Sequence, residues 1–278
     1  MPETRNKTRN ETRAEEPKII TEYETMMYKR RGKTAYIMFN RPQALNAVND
    51  QFEDDLHEAL LEYDLDDEAW VAIIHGAGRS FCAGADIKQR FVAMTPEQSA
   101  RRDRGRNPEG YMGRSINWKP IIAAVHGYAL GAGIVIAAES DMIVASEEAK
   151  FGITETRRGL AGGRVWAKVN AFMPSKIASE MVITGEPIEA AELYRLGLIN
   201  RLVPTGEHLS AAEELAEKVL KSPPLATRAA VKLTRRQWVQ PVADADMQML
   251  PLKLHLTEDF KEASKSFVEK RPPTYHAR

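Results

Sequence analysis

Twice in the first half of this chain, an apolar stretch of strand length runs into a glycine-containing turn. Residues 71–74 lead to a turn that reaches Gly84, and residues 121–125 lead to one that reaches Gly133. An apolar helical pattern, residues 134–138, follows the second turn. Apolar strands that alternate with helices are typical of α/β folds. The sequence therefore predicts an α/β core built around these two strand–turn–helix units.

The remaining pattern divides the chain into a core and a helical end. Two strands are predicted within residues 19–39, a helix from Asn49 or Asp50 to about Tyr63, and a buried strand at residues 142–145. In the last third the strand signal fades, and helices are predicted at residues 177–183, 190–196, 211–220 and within 229–268. We accordingly predict a disordered N-terminal tail at residues 1–17, an α/β core at 18–200 and a helical oligomerisation region at 201–278.

Composition and charge argue against several classes of function. The chain of 278 residues has 39 basic and 39 acidic side chains, so its net charge gives no general attraction to nucleic acid or an anionic membrane. The single cysteine, Cys82, belongs to no metal-ligand motif, so no metal is expected. No apolar run approaches the roughly 20 residues of a membrane span, and the polar N-terminus lacks the apolar stretch of a secretory signal. We expect a cytoplasmic protein without nucleic-acid or membrane partners.

The two glycine turns are the candidates for chemistry. Residues 80–88 and residues 126–133 are each predicted to follow a buried strand and to begin a helix, where unpaired backbone N–H groups point outward. Two such N–H groups directed at one point form an oxyanion hole. Tight turns for close packing are the alternative role of these glycines. Binding of a dinucleotide is a third hypothesis for these turns, but neither turn completes the G-x-G-x-x-G pattern.

Together these turns resemble the enoyl-CoA hydratase/isomerase (crotonase) superfamily, and the resemblance covers most of the chain. The matching segments are residues 40–47, 81–88, 119–133, 149–152 with Glu155 and Gly159, 184–185, 190–191 with 197–199, and 267–271. The resemblance implies a crotonase-like spiral of ββα units with a helical C-terminal trimerisation region. It also implies an acyl-CoA substrate, a homotrimer or a hexamer made of two trimers, and no cofactor apart from coenzyme A as part of the substrate.

The resemblance also implies roles for individual residues. By match to the family's motifs, the N–H groups of Ala85 and Ala132 are expected to hold the thioester oxygen, and Glu155 is expected to act as acid or base. Ala132 stands where glycine is usual, which should narrow the site without removing the N–H donor. The substrate groove is expected to include Ala44, Leu45, Ala83, Asp86, Ile87, Lys88 and Gly131, with the Phe267 region reaching it from a neighbouring subunit.

One of the two carboxylates that hydratases of this family use is absent. The family's first glutamate lies three residues after the second oxyanion residue, where this chain has Val135. General acid–base groups typically contribute about 10²–10⁴-fold to the rate, so this loss counts against ordinary hydration. A single acid, Glu155, is sufficient for moving a double bond, as in the Δ3,Δ2-enoyl-CoA isomerases that the sequence also resembles. Glu139, one helical turn beyond Val135, is the weaker alternative as a replacement acid.

The sequence thus favours isomerisation or an atypical hydration of an enoyl-CoA, and two other functions stay open. A hydratase-lyase or a C–C bond hydrolase acting on an aryl or branched acyl-CoA is one, because residues 159–166 depart from the family pattern and the feruloyl-CoA hydratase-lyases of this family also lack the first glutamate. A catalytically weak protein that binds CoA or RNA is the other. The arginine-rich segment within residues 91–118 is predicted to be a solvated loop, with binding of acidic or aromatic acyl groups as the alternative. Cys82, His75 and His126 are predicted to be structural.

Overall fold

The computed structural model describes residues 16–89, 111–112, 115–235 and 256–276. Most of the predicted tail, most of the arginine-rich segment and the middle of the predicted 229–268 helical region lie outside these ranges. The strands are β1 (Lys18–Glu22), β2 (Met26–Arg31), β3 (Thr34–Phe39), β4 (Val71–Gly76), β5 (Ile121–Val125), β6 (Tyr128–Leu130), β7 (Met142–Ser146), β8 (Lys150–Gly152), β9 (Ile188–Glu189) and β10 (Arg201–Val203).

The helices are α1 (Asp50–Leu65), α2 (Ala132–Glu139), α3 (Gly163–Asn170), α4 (Ser175–Thr184), α5 (Ala190–Arg195), α6 (His208–Leu220) and α7 (Glu258–Glu269). Residues 224–235 are also helical. Short 3-10 turns occur at Pro42–Ala44 and Thr156–Arg158. Within the described ranges, no helix is both long enough and apolar enough to cross a membrane.

Among the described residues, seven strands form one mixed sheet in the order β1-β2-β3-β4-β5-β7-β10. The first three strands pair antiparallel, and from the β3–β4 pair onward all pairs are parallel. Strands β4 and β5 are apolar along nearly their whole length because both faces of this part of the sheet are covered. On one face, Phe52 of α1 packs on Phe39 with ring centroids 4.8 Å apart. On the other, α6 packs Ala212 into a cluster with Val71 and Ile122.

A smaller sheet positions the second glycine turn. In the described part of the chain it has three short strands in the order β6-β8-β9. Strand β6 pairs with β8 in parallel, with Leu130 opposite Gly152. Because β6 leads directly into Gly131 and β8 leads to Glu155 three residues later, this pairing brings the turn and the acidic residue together.

Several predicted elements are confirmed. The helix expected from Asn49 or Asp50 is α1, and Asn49 caps it by accepting a hydrogen bond from Phe52 N–H at 2.9 Å. The apolar strands predicted at residues 71–74, 121–125 and 142–145 are β4, β5 and β7. The two strands predicted within residues 19–39 are in fact three, because the chain turns once more between β1 and β2.

Four short strands were not predicted: β6, β8, β9 and β10, each of two or three residues. They are too short to show an alternating pattern, so only their pairing partners define them. Strand β10 pairs with β7, with Arg201 opposite Val144. The main sheet therefore extends just beyond residue 200, where the helical region was predicted to begin.

Three histidines lie near one another by the carboxyl ends of the parallel strands. The rings of His126, which follows β5, and His208, which begins α6, stack with centroids 4.4 Å apart. Burial, followed by the charges of Lys29, His208 and His126, lowers the pKa of His75 to about 4. Burial and then His126 lower the pKa of His208 to about 4, while Glu148 has the opposite effect. His75 and His208 are therefore packed in the neutral form.

We expect the contribution of His75 and His208 to the free energy of unfolding to fall as the pH is lowered from 6.5, the usual pKa of histidine, to about 4. His75 and His208 bind protons more readily in the unfolded chain, so stabilisation that is full above the unfolded pKa is lost as pH falls through the folded pKa. Urea denaturation across this window measures the effect. His208→Gln should flatten the pH dependence, whereas His57→Gln, at an exposed position on α1, should leave it unchanged. A His208→Gln curve that parallels the wild type would contradict the assignment.

Candidate functional site

The first glycine turn is tied to two neighbouring segments by backbone hydrogen bonds. On one side, Cys82 N–H donates to the Tyr128 carbonyl oxygen at 2.8 Å. On the other, Ala83 N–H donates to the Leu45 carbonyl oxygen at 3.0 Å. The N–H of Ala85 has no acceptor among the described residues. This backbone donor is held firmly in place and is available to a ligand.

The second glycine turn supplies a similar donor. Gly131 has φ +53°, a left-handed conformation that favours glycine, and its N–H donates to the Gly152 carbonyl oxygen at 2.8 Å. Ala132 is the first residue of α2, where an N–H group has no partner within the helix. Within the described ranges no other group accepts from it. The Ala132 N–H is thus the second available donor.

The two turns lie against each other. A Cβ built on Gly84, whose φ is +90°, would be 2.8 Å from the Leu130 carbonyl oxygen and 3.7 Å from the Gly131 Cα. A Cβ built on Gly131 would in turn be 3.7 Å from the Gly84 Cα. Because Ala85 and Ala132 each follow one of these glycines, their N–H groups belong to one small region. The structure thus brings together the two turns that the sequence singled out.

Glu155 lies directly beside the second turn. Its Oε1 would be only 2.7 Å from a Cβ on Gly131, and its own Cβ packs 3.2 Å from the position of a Cβ on Gly162. Its Oε2 is buried and has no hydrogen-bond partner among the described residues. Burial raises the pKa of Glu155 to about 7, an effect that nearby backbone N–H groups and Arg158 only partly offset. A carboxyl group with this pKa both accepts and donates protons near neutral pH.

Gly131→Ala should lower kcat by displacing the Glu155 carboxyl group, because the added methyl group would overlap Oε1. A displacement of about 1 Å in a catalytic group is enough to cost about 10²-fold. Gly32→Ala is the matched control, since Gly32 has φ +56° but a Cβ there meets nothing within 4 Å. Steady-state rates and melting temperatures of both variants separate the displacement of Glu155 from a general loss of stability caused by alanine at a positive φ. Equal rates for the two variants would show that Glu155 does not need the space at Gly131.

The other predicted groove residues lie on two adjoining loops. Ala44 and Leu45 belong to the loop before α1, and the rest belong to the first glycine turn: Ala83, Asp86, Ile87 and Lys88. The Ala83–Leu45 hydrogen bond joins the two loops. Lys88 is exposed, and the others are partly buried. This arrangement is compatible with a groove between the loops.

Two residues that the sequence did not single out hold this arrangement together. Arg41 forms an ion pair with Asp86, with 3.1 Å between Nη2 and Oδ2. The Asn46 side chain is fully buried; its Nδ2 donates to the carbonyl oxygens of Ala77 (2.9 Å) and Ser80 (2.8 Å). Both lie in the segment 40–47, whose resemblance to the family was the only signal that could have identified them.

The structure also places the residues around the missing carboxylate. Val135 is 4% exposed on α2, and its apolar side chain supplies no proton. Glu139, the alternative acid, is 1% exposed; it pairs with Lys168 and accepts from the N–H groups of Tyr111 (2.6 Å) and Met112 (3.0 Å). Glu139 is therefore occupied in a structural network, which argues against its acting as a replacement acid.

Within its own chain, Phe267 contacts Arg158, with the guanidinium carbon 4.0 Å from the ring centroid. The prediction that the Phe267 region reaches the groove of a neighbouring subunit stays a prediction. Arg158 ends the 3-10 turn that follows Glu155. In addition, the Tyr275 hydroxyl donates to the Arg157 carbonyl oxygen at 3.2 Å. The C-terminal segment thus packs against the turn that carries Glu155.

Cys82 is fully buried, and burial raises the pKa of its thiol to about 12. This environment does not produce a nucleophilic thiolate. Among the described residues, no group of three His, Cys, Asp or Glu side chains is arranged to hold a metal ion.

Two available backbone N–H groups beside a buried carboxyl group define a class of site. A carbonyl oxygen accepts from the N–H groups, and the carboxyl group transfers a proton at a neighbouring carbon as negative charge develops on that oxygen. Such a site is typical of enzymes that form an enolate from a thioester.

Comparison with known proteins gives the family. The sequence pattern of the family described as Enoyl-CoA hydratase/isomerase matches residues 29–278. Enoyl-CoA hydratase EchA19 of Mycobacterium tuberculosis is 35% identical over 261 residues, 91% of this chain and 96% of the relative. (E)-Benzylidenesuccinyl-CoA hydratase of Thauera aromatica is 34% identical over 87% of this chain and 94% of the relative. The solved structure of EchA1_1 from Mycobacterium paratuberculosis matches with a TM-score of 0.79 and 36% identity, covering 92% of this chain and 100% of that one.

The chain belongs to the enoyl-CoA hydratase/isomerase family and has the crotonase fold, as its sequence predicted. It is an enzyme of this family.

Proposed function

We propose that this enzyme moves the double bond of an enoyl-CoA between the 3- and 2-positions, with Glu155 as the single acid–base group. The observation that carries the proposal is the combination of a Glu155 carboxyl group, packed against Gly131 and with its Oε2 buried, with an apolar residue at Val135. Among the residues that the structure describes, Glu155 is the one proton-transfer group placed at this site, and isomerisation needs only one.

In the proposed reaction, the thioester oxygen accepts hydrogen bonds from the N–H groups of Ala85 and Ala132. Glu155 removes a proton from C2 of a 3-enoyl thioester, and the electron pair moves toward the thioester oxygen to give a dienolate. The same carboxyl group then returns the proton at C4, which leaves a 2-enoyl thioester. Removing one donor from an oxyanion hole typically costs about 10²–10³ in kcat, so the two N–H groups would supply a large share of the rate.

Hydration is the second candidate, because the relatives include proteins named hydratases. Addition of water to a 2-enoyl thioester requires one group to activate the water and a proton source for C2. Glu155 supplies one of these functions, and Val135 cannot supply the other. Hydration by this enzyme would therefore need a proton source other than the family's first glutamate.

We also propose that the substrate's coenzyme A lies in the groove between residues 44–45 and 83–88, and that the enzyme is a trimer or a hexamer. Two large apolar side chains on the helix at residues 224–235, Leu225 and Leu233, are 75% and 70% exposed. Such side chains gain burial when subunits associate. Light scattering of the purified protein measures its mass, and a monomer would contradict this proposal.

The test of the proposed reaction is product analysis by mass spectrometry and chiral chromatography with 3-enoyl-, 2-enoyl- and 3-hydroxyacyl-CoAs. We expect mass-neutral conversion of 3-enoyl to 2-enoyl thioesters. Val135→Glu should add hydration, seen as the gain of one water, if its carboxyl group reaches the position of the absent acid. Val135→Gln is the matched control, of nearly equal size but with no acid. Hydration as the main reaction of the wild type would overturn isomerisation, chain shortening would indicate a lyase, and no turnover would favour a binding protein.

A further inference from the structure

Arg158 is held in a fixed place beside the proposed acid. Its backbone N–H donates to the Glu155 carbonyl oxygen at 2.8 Å, so that one tight turn carries both residues. Its guanidinium carbon lies 4.0 Å from the centroid of the Phe267 ring. A guanidinium group over an aromatic face keeps its charge and its N–H donors while losing part of its freedom.

This guanidinium group has no acidic partner among the described residues. The neighbouring Arg157 pairs with Glu186, and Arg271 of the C-terminal segment pairs with Glu262 and Glu269. Within the described ranges, no acidic side chain, Glu155 included, forms an ion pair with Arg158. It is partly buried, and burial is the main cause that lowers its pKa. Partial removal of a cation from water is unfavourable when no counterion is present. A bound anion offsets much of this desolvation free energy through charge-assisted hydrogen bonds.

We propose that Arg158 binds a carboxylate carried by the acyl group, so that the preferred substrates are enoyl-CoA thioesters with a second, free carboxylate. The proposal rests on the function proposed above, in which Glu155 acts on the acyl chain. Glu155 and Arg158 are three residues apart in one 3-10 turn, so their side chains leave the backbone on the same side of that turn.

The position in the fold favours the acyl group over the coenzyme A phosphates as the source of the anion. The proposed coenzyme A groove is formed by the loop before α1 and the turn after β4. Arg158 belongs to the turn after β8, together with Glu155. A negative charge on the acyl chain is therefore the nearer partner, and the guanidinium group is able to donate two parallel hydrogen bonds to a carboxylate.

Binding of unreactive, saturated acyl-CoAs tests the proposal without requiring turnover. Isothermal titration would compare two thioesters of equal chain length, one ending in a carboxylate and one in a methyl group. Hydrogen bonds to charged groups contribute about 1.5–3 kcal/mol, so we expect the carboxylate to bind about 10- to 100-fold more tightly to the wild type. Arg158→Gln should abolish this preference, and Arg158→Lys should retain part of it. Arg157→Gln, which removes a neighbouring exposed charge, should keep it.

Three outcomes would overturn the proposal. One is a wild type that does not prefer the carboxylated thioester. The second is a loss of affinity in Arg158→Gln that is equal for both thioesters, which would indicate a structural role. The third is an effect of Arg158→Gln that disappears when both thioesters are made from dephospho-coenzyme A, which would assign the 3′-phosphate as the anion. Melting temperatures check that each variant is folded. A carboxylate preference that depends on Arg158, in a protein that isomerises nothing, would support this inference and refute the proposed reaction.

Discussion

Glu155→Gln should lower kcat for double-bond migration by about 10²–10⁴-fold while leaving KM nearly unchanged. The amide preserves the size of the side chain beside Gly131 but cannot take a proton from C2 or return one to C4. Because Oε2 has no hydrogen-bond partner among the described residues, the substitution breaks no structural bond there. The measurement is the steady-state rate of 3-enoyl- to 2-enoyl-CoA conversion. Glu180→Gln, at an exposed position on α4, is the control and should be fully active.

The pH dependence gives a second, independent measure of the same residue. Burial raises the pKa of Glu155 to about 7, and proton abstraction requires the ionised form. The kcat/KM for the 3-enoyl substrate should therefore rise with pH and level off above about 7, because that parameter reports the free enzyme. Residual activity of Glu155→Gln should lack this step. A wild-type profile that is already level at pH 5 would show that the carboxyl group is not in the buried environment described.

Lys168→Met should destabilise the fold by about 3–5 kcal/mol, because it leaves the Glu139 carboxylate buried without its cation. The two side chains are 3% and 0% exposed, and Glu139 also accepts the N–H groups of Tyr111 and Met112. Methionine fits the space of the lysine stem but cannot neutralise the charge. Urea denaturation at pH 7 measures the loss. Lys265→Met, which removes a largely exposed lysine of α7, should cost little.

A double variant separates the ion pair from the hydrogen bonds. Glu139→Gln with Lys168→Met keeps an oxygen that accepts from the backbone N–H groups and removes both charges. The double variant should lose less free energy of unfolding than the two single variants lose in total, because neither charge is left without its partner. Strict additivity of the two single substitutions would mean that Glu139 and Lys168 do not interact.

A feature could be predicted from the sequence when the residues that define it lie close together in the chain. The strands β4, β5 and β7 and the helix α1 were predictable because their apolar pattern and the Asn49 cap lie within a few residues of one another. The strands β6 and β8 were not, since three residues carry no periodicity. The Glu139–Lys168 pair was invisible because the two residues come from α2 and α3 and meet only when those helices pack. The same limit applies to Arg158, whose neighbour Phe267 is more than 100 positions away in the chain.

The site residues Ala85, Ala132 and Glu155 were predicted from family resemblance, and the structure places their turns side by side. Resemblance alone did not reveal why they are adjacent. The pairing of β6 with β8, which sets Leu130 opposite Gly152, supplies the physical reason. It also explains why Gly131 and Glu155, 24 positions apart in the numbering, act on the same small volume.

Both proposed oxyanion donors are main-chain groups, and this has a consequence for how such an enzyme changes over generations. A point mutation exchanges side chains but leaves the amide N–H of every residue except proline in place. The charge-stabilising half of the site is therefore hard to lose by mutation, while the proton-transferring half rests on single side chains that one codon change removes. A lineage in which Val135 replaced an acid could thus change from one reaction to another while the two backbone N–H groups continued to bind the thioester oxygen.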